Sequence, residues 1–312
     1  MNSYLPVTDD IYWIGGKDRH STLFEELWPS PRGVSYNAYV IVDEKIAVVE
    51  TVKALGAESF LDKVHAVLPE GRTPDYLIID HMEPDHSGSI RMFRDFYPQA
   101  KIVGNAKTAG FLRDFYDIED GVETVADGDA LDLGTHKLTF HLTPMVHWPE
   151  TMMTYDATDR VLFSGDAFGG FGALTGGIFD DEVDIEFFED EILRYFSNIV
   201  GKYCNTVQKA IKKLAGLDLG IIAPTHGPVW RKHPEEIVRL YDAWSRHEAE
   251  DGVVMVYGSM YGNTERMMEA VAKGLVEENL AKVRIHSVSC SELSFLIRSE
   301  ERRVGKECTL RC

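Results

Sequence analysis

Four residues of the types that ligate metals fall within six positions, His81-Met82-Glu83-Pro84-Asp85-His86, and few folds accommodate that density. The stretch follows an apolar run, Tyr76 to Asp80, that reads as a buried strand. It precedes Ser87-Gly88, which can cap a helix beginning near Ile90. It therefore occupies a strand-to-helix turn, where side chains at alternate positions point the same way into a cleft. Unpaired in such a place, carboxylates and imidazoles would be stripped of water at heavy cost. A bound cation removes that cost.

The same signature recurs along the chain. His147, in Thr143-Pro-Met-Val-His-Trp-Pro-Glu-Thr151, Asp166, in Ser164-Gly-Asp, and His226, in Pro224-Thr-His-Gly-Pro228, each lie just beyond a predicted apolar strand and close to Gly or Pro. Strand ends distant in sequence can meet in space, so these residues form one candidate ligand set with His81, Glu83, Asp85 and His86. Four imidazoles and three carboxylates are too many for one tetrahedral ion. They suit two ions sharing a carboxylate, and Asp166, alone at its strand end, is the candidate bridge. Imidazole and carboxylate without thiolate fit iron or manganese at least as well as zinc. Three carboxylates also suit a dinuclear centre that rises in oxidation state, because added positive charge needs anionic ligands. Asp80 has the wrong parity to ligate and is expected to support a ligating histidine instead. Trp148 is expected to pack beside the site, and His136 to be structural.

At 312 residues the chain exceeds one typical domain. Its formal charge of −19 argues against nucleic acid or an anionic membrane as partner. No apolar run approaches the roughly 20 residues of a membrane span, and the N-terminus lacks the features of a signal peptide. Cys204, Cys290, Cys308 and Cys312 form no paired framework, which points to a reducing cytoplasm. Strands are expected at 11–14, 36–42, 45–49, 101–104, 152–155, 161–163 and 219–223, with half-buried antiparallel strands over 122–143. A charged, proline-containing loop spans 17–34. Helices are expected at 57–68, near 106–116, across most of 185–214 and after Pro234. Strands and helices interleave, giving an α/β protein.

The order H-x-E-x-D-H at 81–86, His147-Trp-Pro-Glu-Thr151, Ser164-Gly-Asp-Ala-Phe168 and Thr225-His-Gly227 resembles the flavodiiron proteins, or A-type flavoproteins. The match runs from about Ile11 to about Ile297. These proteins share the metallo-β-lactamase fold, an αβ/βα sandwich, whose hydrolases carry a second histidine where this chain has Glu83. The resemblance implies one iron held by His81, Glu83 and His147, another by Asp85, His86 and His226, and Asp166 between them. Tyr195, in Leu193-Arg-Tyr-Phe-Ser197, reads as core by its motif, but its family counterpart lies near the diiron pocket, so it is a catalytic candidate.

From about residue 252 a second pattern begins. Val253 to Tyr257 reads as a short strand, followed by Gly258-Ser259-Met260-Tyr261-Gly262-Asn263-Thr264 and a helix to about Glu278. Amides, hydroxyls and a helix N-terminus converging in such a loop make an anion site. It resembles the phosphate loop of flavodoxins, with FMN phosphate against Ser259, Met260, Tyr261, Gly262, Asn263 and Thr264, and 282–288 reads as the next strand of a doubly wound sheet. The expected organisation is a diiron domain over 1–249 and the N-terminal fragment of a flavodoxin-like domain over 252–297. Residues 298–312, basic in an acidic chain and without apolar period, read as a non-native tail. A full flavodoxin-like domain needs roughly 140 residues, so FMN is expected of the complete protein rather than of this chain.

The resemblance implies a cytoplasmic oxidoreductase that reduces dioxygen to water or nitric oxide to nitrous oxide. Electrons would come through FMN from a rubredoxin-type protein or a reduced deazaflavin, and the assembly would be a head-to-tail homodimer. Two alternatives stay open at this point: a dinuclear zinc hydrolase on the same fold, against which Glu83 stands, and a catalytically idle metal-binding fragment.

Overall fold

The computed structural model describes residues 4–248, 252–280 and 282–301. Two sheets form the body. In the first, the strands Leu5–Pro6, Ile11–Trp13, Tyr39–Ile41, Ala47–Val49, Tyr76–Ile78, Lys101–Gly104 and Val122–Thr124 lie side by side in that order. The pairings are antiparallel as far as Ala47–Val49 and parallel beyond it. The change follows from the connections. Asp43-Glu44 makes a tight hairpin, whereas helices Ala57–Val67, Ile90–Phe96 and Ala106–Tyr116 bring the chain back across the later strands. The second sheet runs Ala130–Asp132, Lys137–Leu142, Met152–Asp156, Val161–Phe163 and Ile221–Ala223, antiparallel except for the last pair. Helices Ile185–Tyr195, Cys204–Leu214 and Pro234–Ser245 accompany it.

The inner strands are apolar on both faces, and one continuous core joins the sheets, with the Tyr39 ring 5.2 Å from that of Phe163. This is the αβ/βα sandwich implied by the sequence. Its register places the ends of Ala47–Val49, Tyr76–Ile78, Val161–Phe163 and Ile221–Ala223, and the loop before Met152, on one common edge. Cross-links pin that edge: Met152 N donates to Asp80 O at 3.0 Å, and Thr225 N to Gly165 O at 2.9 Å.

The structure departs from the sequence reading in two places near this edge. The expected loop at 17–34 contains a hairpin, Leu23–Phe24 with Trp28–Pro29, closed by Glu25 and Glu26 in left-handed conformation (φ 51° and 53°). Turns of this kind usually carry Asn or Gly, so two glutamates gave no signal. Ser87 caps nothing. It lies inside a short helix, Pro84–Ser87, started by proline at its first position, and its hydroxyl bonds back to Met82 O at 2.8 Å.

Asn37 fastens the edge from within. Fully buried, it accepts from Trp13 Nε1 at 2.9 Å and donates to Pro224 O at 2.9 Å and Gly227 O at 3.0 Å. Gly227 has φ 71°, and a Cβ there would stand 3.1 Å from Gly170 N, so only glycine fits that crossing.

After residue 251 the strands Val253–Tyr257 and Val283–Ser287 pair in parallel, with the helix Asn263–Glu277 between them. The last helix, Leu293–Glu301, packs on Ile185–Tyr195 and on the π-helical turn Phe196–Val200 that follows it. The boundary read at 298 falls inside that helix, and residues 302–312 lie outside those described. Among the described residues no helix is long and apolar enough to cross a membrane.

Asn37→Ala leaves the buried Trp13 indole N–H and the buried Gly227 carbonyl without partners, while Pro224 O keeps the Tyr39 hydroxyl at 2.8 Å. We expect a loss of about 3 kcal/mol in urea unfolding of the metal-free protein, at the upper end of the cost of an orphaned buried group. A loss within error of zero would show that the 224–227 loop is held by other means.

Candidate metal centre

The strand-end residues meet at the common edge. Around one point lie His81 Nε2, His147 Nε2, Glu83 Oε2 and Asp166 Oδ2. His147 Nε2 is 3.0 Å from both Glu83 Oε2 and Asp166 Oδ2, and His81 Nε2 is 3.3 Å and 3.6 Å from the same two oxygens. Around a second point lie Asp85 Oδ2, His86 Nε2, His226 Nε2 and the other oxygen of Asp166. Asp166 Oδ1 is 2.9 Å from His86 Nε2 and 3.6 Å from His226 Nε2, and Asp85 Oδ2 is 3.3 Å and 3.2 Å from these nitrogens. All seven residues anticipated from the sequence are thus present, split three and three, with Asp166 presenting one oxygen to each group.

The spacing fits ions. Nitrogen and oxygen ligands about 2.1 Å from a common metal stand roughly 3.0–3.4 Å apart. The hydrogen-bond inventory fits as well. Both carboxylate oxygens of Asp85, both ring nitrogens of His86, and His226 Nε2 are buried without a hydrogen-bond partner. Buried polar atoms are rarely left so, and three of these, Asp85 Oδ2, His86 Nε2 and His226 Nε2, converge on one point, which marks a position for a cation.

Protons stand in for cations in the metal-free protein. Burial alone would lower the His147 imidazole, but Asp166 and Glu83 prevail and raise it to about 9. His81 and His226 are likewise held above the ordinary range against burial, His81 by Asp166, Glu150 and Glu83, His226 by Asp85 and Asp166. Asp166 is driven well below the usual carboxylate range against its own burial, by His86, His81 and His147. Glu83 falls to about 2 through His147 and His81, again against burial.

A surrounding shell aims the ligands. His81 Nδ1 bonds Glu150 Oε1 at 2.8 Å and His226 Nδ1 bonds Ser35 O at 2.8 Å, which turns each Nε2 toward the centre. Thr225 Oγ1 donates to Asp166 Oδ1 at 2.8 Å. The supporting role read for Asp80 belongs to Glu150: the Asp80 carboxylate instead takes the Thr154 hydroxyl at 2.7 Å, joining the two sheets. Glu50 was missed. It sits just past its own strand with φ 64°, and its Oε1 accepts from the amides of Asp80 and His81 at 2.7 Å and 2.9 Å. Its strand-end position was the available signal. Glu25 was missed too. It rides the hairpin tip at the rim of the pocket, open to solvent on one side, and desolvation on the other, then Asp85 and Glu83, push it up to about 7.

Aromatic rings wall the second group. Phe24, Tyr36 and Tyr195 lie 5.4, 5.4 and 5.5 Å from the His226 ring, with Phe171 behind Tyr195 at 5.0 Å. Tyr195 is fully buried and its hydroxyl has no partner; burial and the nearby Asp166 and Asp85 hold it well above the ordinary phenol range. His136 is structural: it bonds Asp156 at 3.0 Å, whose carboxylate also takes the amides of Thr158 and Asp159.

The predicted anion loop lies far along the chain, between Val253–Tyr257 and Asn263–Glu277. Gly262 has φ 81° at the helix start, Ser259 Oγ is buried without a partner, and Met260 and Tyr261 are exposed, at 85% and 83%. Asn263 and Thr264 open the helix and are exposed. An orphaned hydroxyl beside a left-handed glycine and a helix N-terminus suits a phosphate.

A family model described as "ODP family beta lactamase" matches residues 34–227. The chain is 34% identical over 305 residues to a nitric oxide reductase of Moorella thermoacetica, covering 96% of this chain and 75% of that protein. Among solved structures it resembles the rubredoxin oxygen:oxidoreductase of Desulfovibrio gigas (TM-score 0.91, 29% identity, 96% of this chain and 75% of that one). It also resembles a flavoprotein and a variant of a flavo di-iron protein, both of Thermotoga maritima (for each, TM-score 0.88, 29% identity, 96% and 75%).

The raised His147 sets a pH dependence. Its folded value near 9 exceeds the ordinary 6.5, so its contribution to stability is complete below 6.5 and is lost as pH rises through 9. Glu83, depressed to about 2, gives its contribution up only in strong acid and does not cancel this slope. Thermal melts of chelator-treated protein should therefore fall between pH 6.5 and 9. Ferrous or zinc ion added at pH 8 should release protons into unbuffered solution and restore the melting temperature. A flat apo profile with no proton release would contradict the electrostatic account.

Proposed function

The chain belongs to the flavodiiron proteins, and from that premise we propose that it is a non-haem diiron oxidoreductase reducing dioxygen to water or nitric oxide to nitrous oxide. One observation carries the reading: Asp166 offers one oxygen to each of two three-residue groups, and the group facing Oδ2 includes Glu83 rather than a histidine. His81, Glu83 and His147 would hold one iron, Asp85, His86 and His226 the other, and Asp166 both. The irons, when bound, supply electrons and open coordination positions for a diatomic ligand.

The chain's own residues do the rest. Glu150 and Ser35 O fix the ring orientations of His81 and His226, and Thr225 fixes the Asp166 carboxylate. Phe24, Tyr36, Phe171 and Tyr195 exclude water from the His226 side, which strengthens every charge interaction there. Either reduction consumes one proton per electron. Tyr195 keeps its phenolic proton, and the unpartnered hydroxyl is free to donate it in a hydrogen bond to a ligand in the pocket. Glu25, at the rim, links that pocket to solvent.

We assign residues 1–249 to the metal half and 252–297 to the N-terminal fragment of a flavin half, whose Ser259–Thr264 loop would hold the FMN phosphate in the complete protein. The electron donor we infer is a small rubredoxin-type protein or a reduced deazaflavin. The assembly we infer is a head-to-tail homodimer in the cytoplasm, which would place the flavin of one subunit over the metals of the other.

Protein purified without oxygen should contain two irons per chain and should consume dioxygen or nitric oxide when given a low-potential donor. Two zincs with ester hydrolysis and no gas consumption would overturn the assignment in favour of a hydrolase. Tyr195→Phe should retain iron and apo stability, because the hydroxyl it removes has no partner, yet lose roughly 10²-fold in turnover, the lower range for a proton-donating side chain. Unchanged turnover would remove Tyr195 from the mechanism.

A further inference from the structure

The metal pocket touches one aromatic residue that neither ligates nor seals it. The Trp148 ring stands edge-on to His81, centroids 5.4 Å apart at 86°, and 6.4 Å from His147. From Trp148 the rings continue outward. Phe111 is 6.0 Å away, Phe115 stacks on Phe111 at 5.3 Å and 4°, and Tyr116 follows at 6.3 Å. Trp148 and Tyr116 are half-buried and Phe115 is 49% exposed, so the series runs from two proposed iron ligands to solvent.

We propose that Trp148 and Tyr116, bridged by the Phe111–Phe115 stack, form a relay that drains oxidising equivalents from the metal pocket to the surface when dioxygen arrives without reductant. The proposal rests on the diiron reading above. Trp148 gives one electron to the oxidised metal pair, which is reduced by one, and its indole proton passes to solvent. Tyr116 then gives an electron to the Trp148 radical, which recovers a proton from solvent, while Tyr116 loses its phenolic proton to water. A soluble thiol returns an electron and a proton to Tyr116, and the thiol is oxidised. The phenylalanines, too hard to oxidise, serve only as packed medium between the two ends.

Proton chemistry singles out these two residues from the other rings near the metals. Oxidising tyrosine at ordinary potentials requires a place for its proton. Tyr195 is fully buried and no protein group accepts from its hydroxyl, so the chain offers its proton no route to solvent. Tyr36 lies 5.0 Å beneath the Lys53 ammonium, whose positive charge opposes formation of a radical cation. Tyr116 bonds Ser87 Oγ at 2.7 Å. Ser87 has its own hydrogen directed at Met82 O or Glu83 O, so Tyr116 is the donor in that bond and its proton is already polarised.

The test uses iron-loaded protein exposed to dioxygen without donor, in the presence of a nitroso spin trap, followed by peptide mass spectrometry. Adducts are expected on Trp148 and Tyr116. Trp148→Phe should keep its iron but lose the Tyr116 adduct and inactivate several-fold faster. Tyr116→Phe should increase the Trp148 adduct. If Trp148→Phe loses iron, Phe111→Leu interrupts the same path without touching His81 and should reduce the Tyr116 adduct alone. A Tyr116 adduct undiminished in both interrupted variants, or none in wild-type protein that turns over dioxygen with a donor, would overturn the relay. Wild-type protein that consumes no gas even with a donor would instead remove the diiron reading, and the relay with it.

Discussion

Asp166 is the constraint to which the rest of the edge is fitted. A carboxylate buried to 2% exposure is tolerable only if its charge is answered, and here it is answered on both oxygens by imidazoles on opposite sides. Those imidazoles are in turn held by neutral or anionic partners further out: Glu150 for His81, the Ser35 carbonyl for His226. Four rings and three acidic groups in one pocket have no favourable fully ionised state without added positive charge. Protons supply it in the metal-free protein, which is why three histidines sit above their ordinary range. Cations supply it better, because they accept several ligands at once.

The two sheets matter to this centre because each contributes only part of it. His81 to His86 come from the first sheet, and His147, Asp166 and His226 from the second, so the geometry depends on how the sheets meet. The links between them are buried and directional: Met152 to Asp80, Thr154 to the Asp80 carboxylate, Asn37 to the loop around His226. A similar economy appears at the end of the helix Ile185–Tyr195. Tyr195 turns inward to His226, while its neighbour Arg194 turns outward. Arg194 is fully buried, stacks on Phe171 at 4.3 Å and Phe295 at 4.9 Å, and bonds Glu191 and the Ser294 hydroxyl. The last helix and the metal pocket therefore press on adjacent residues of one turn.

Much of the centre was legible in the sequence because its ligands obey a local rule. Each lies just beyond an apolar strand, and a polar residue at that position has nowhere to go but the mouth of the sheet. Glu50 obeys the same rule but, unlike the ligands, has no Gly or Pro beside it to mark it. The residues that escaped belong to longer-range arrangements. Glu150 stands two positions before the strand Met152–Asp156 rather than beyond a strand end, yet it reaches His81 across the sheets, and parity at Asp80 gave no hint that the supporting carboxylate would come from elsewhere. The hairpin that carries Phe24 and Glu25 over the pocket is closed by two glutamates in left-handed conformation, which local propensity argues against; tertiary packing of Phe24 on Phe171 and His226 overrides it. Strands and helices alternate visibly in the sequence, and the sandwich was implied by the family resemblance, while the close crossing at Gly227 and Gly170 depends on contacts that only the folded chain reveals.

The two halves of the centre are not equivalent, and the difference divides the work. Asp85, His86 and His226 have side chains no more than 2% exposed and are walled by Phe24, Tyr36 and Tyr195. Glu83 and His147 are 14% and 9% exposed and border Trp148. A low-dielectric wall favours binding of a small apolar diatomic and penalises any unneutralised charge, so the enclosed half suits the substrate. The more open half is where an electron donor can approach within ring contact of a ligand. Glu83 strengthens that division. An anionic residue on the open side would offset positive charge added to an ion held there, which the histidine at this position in the hydrolases of this fold would not.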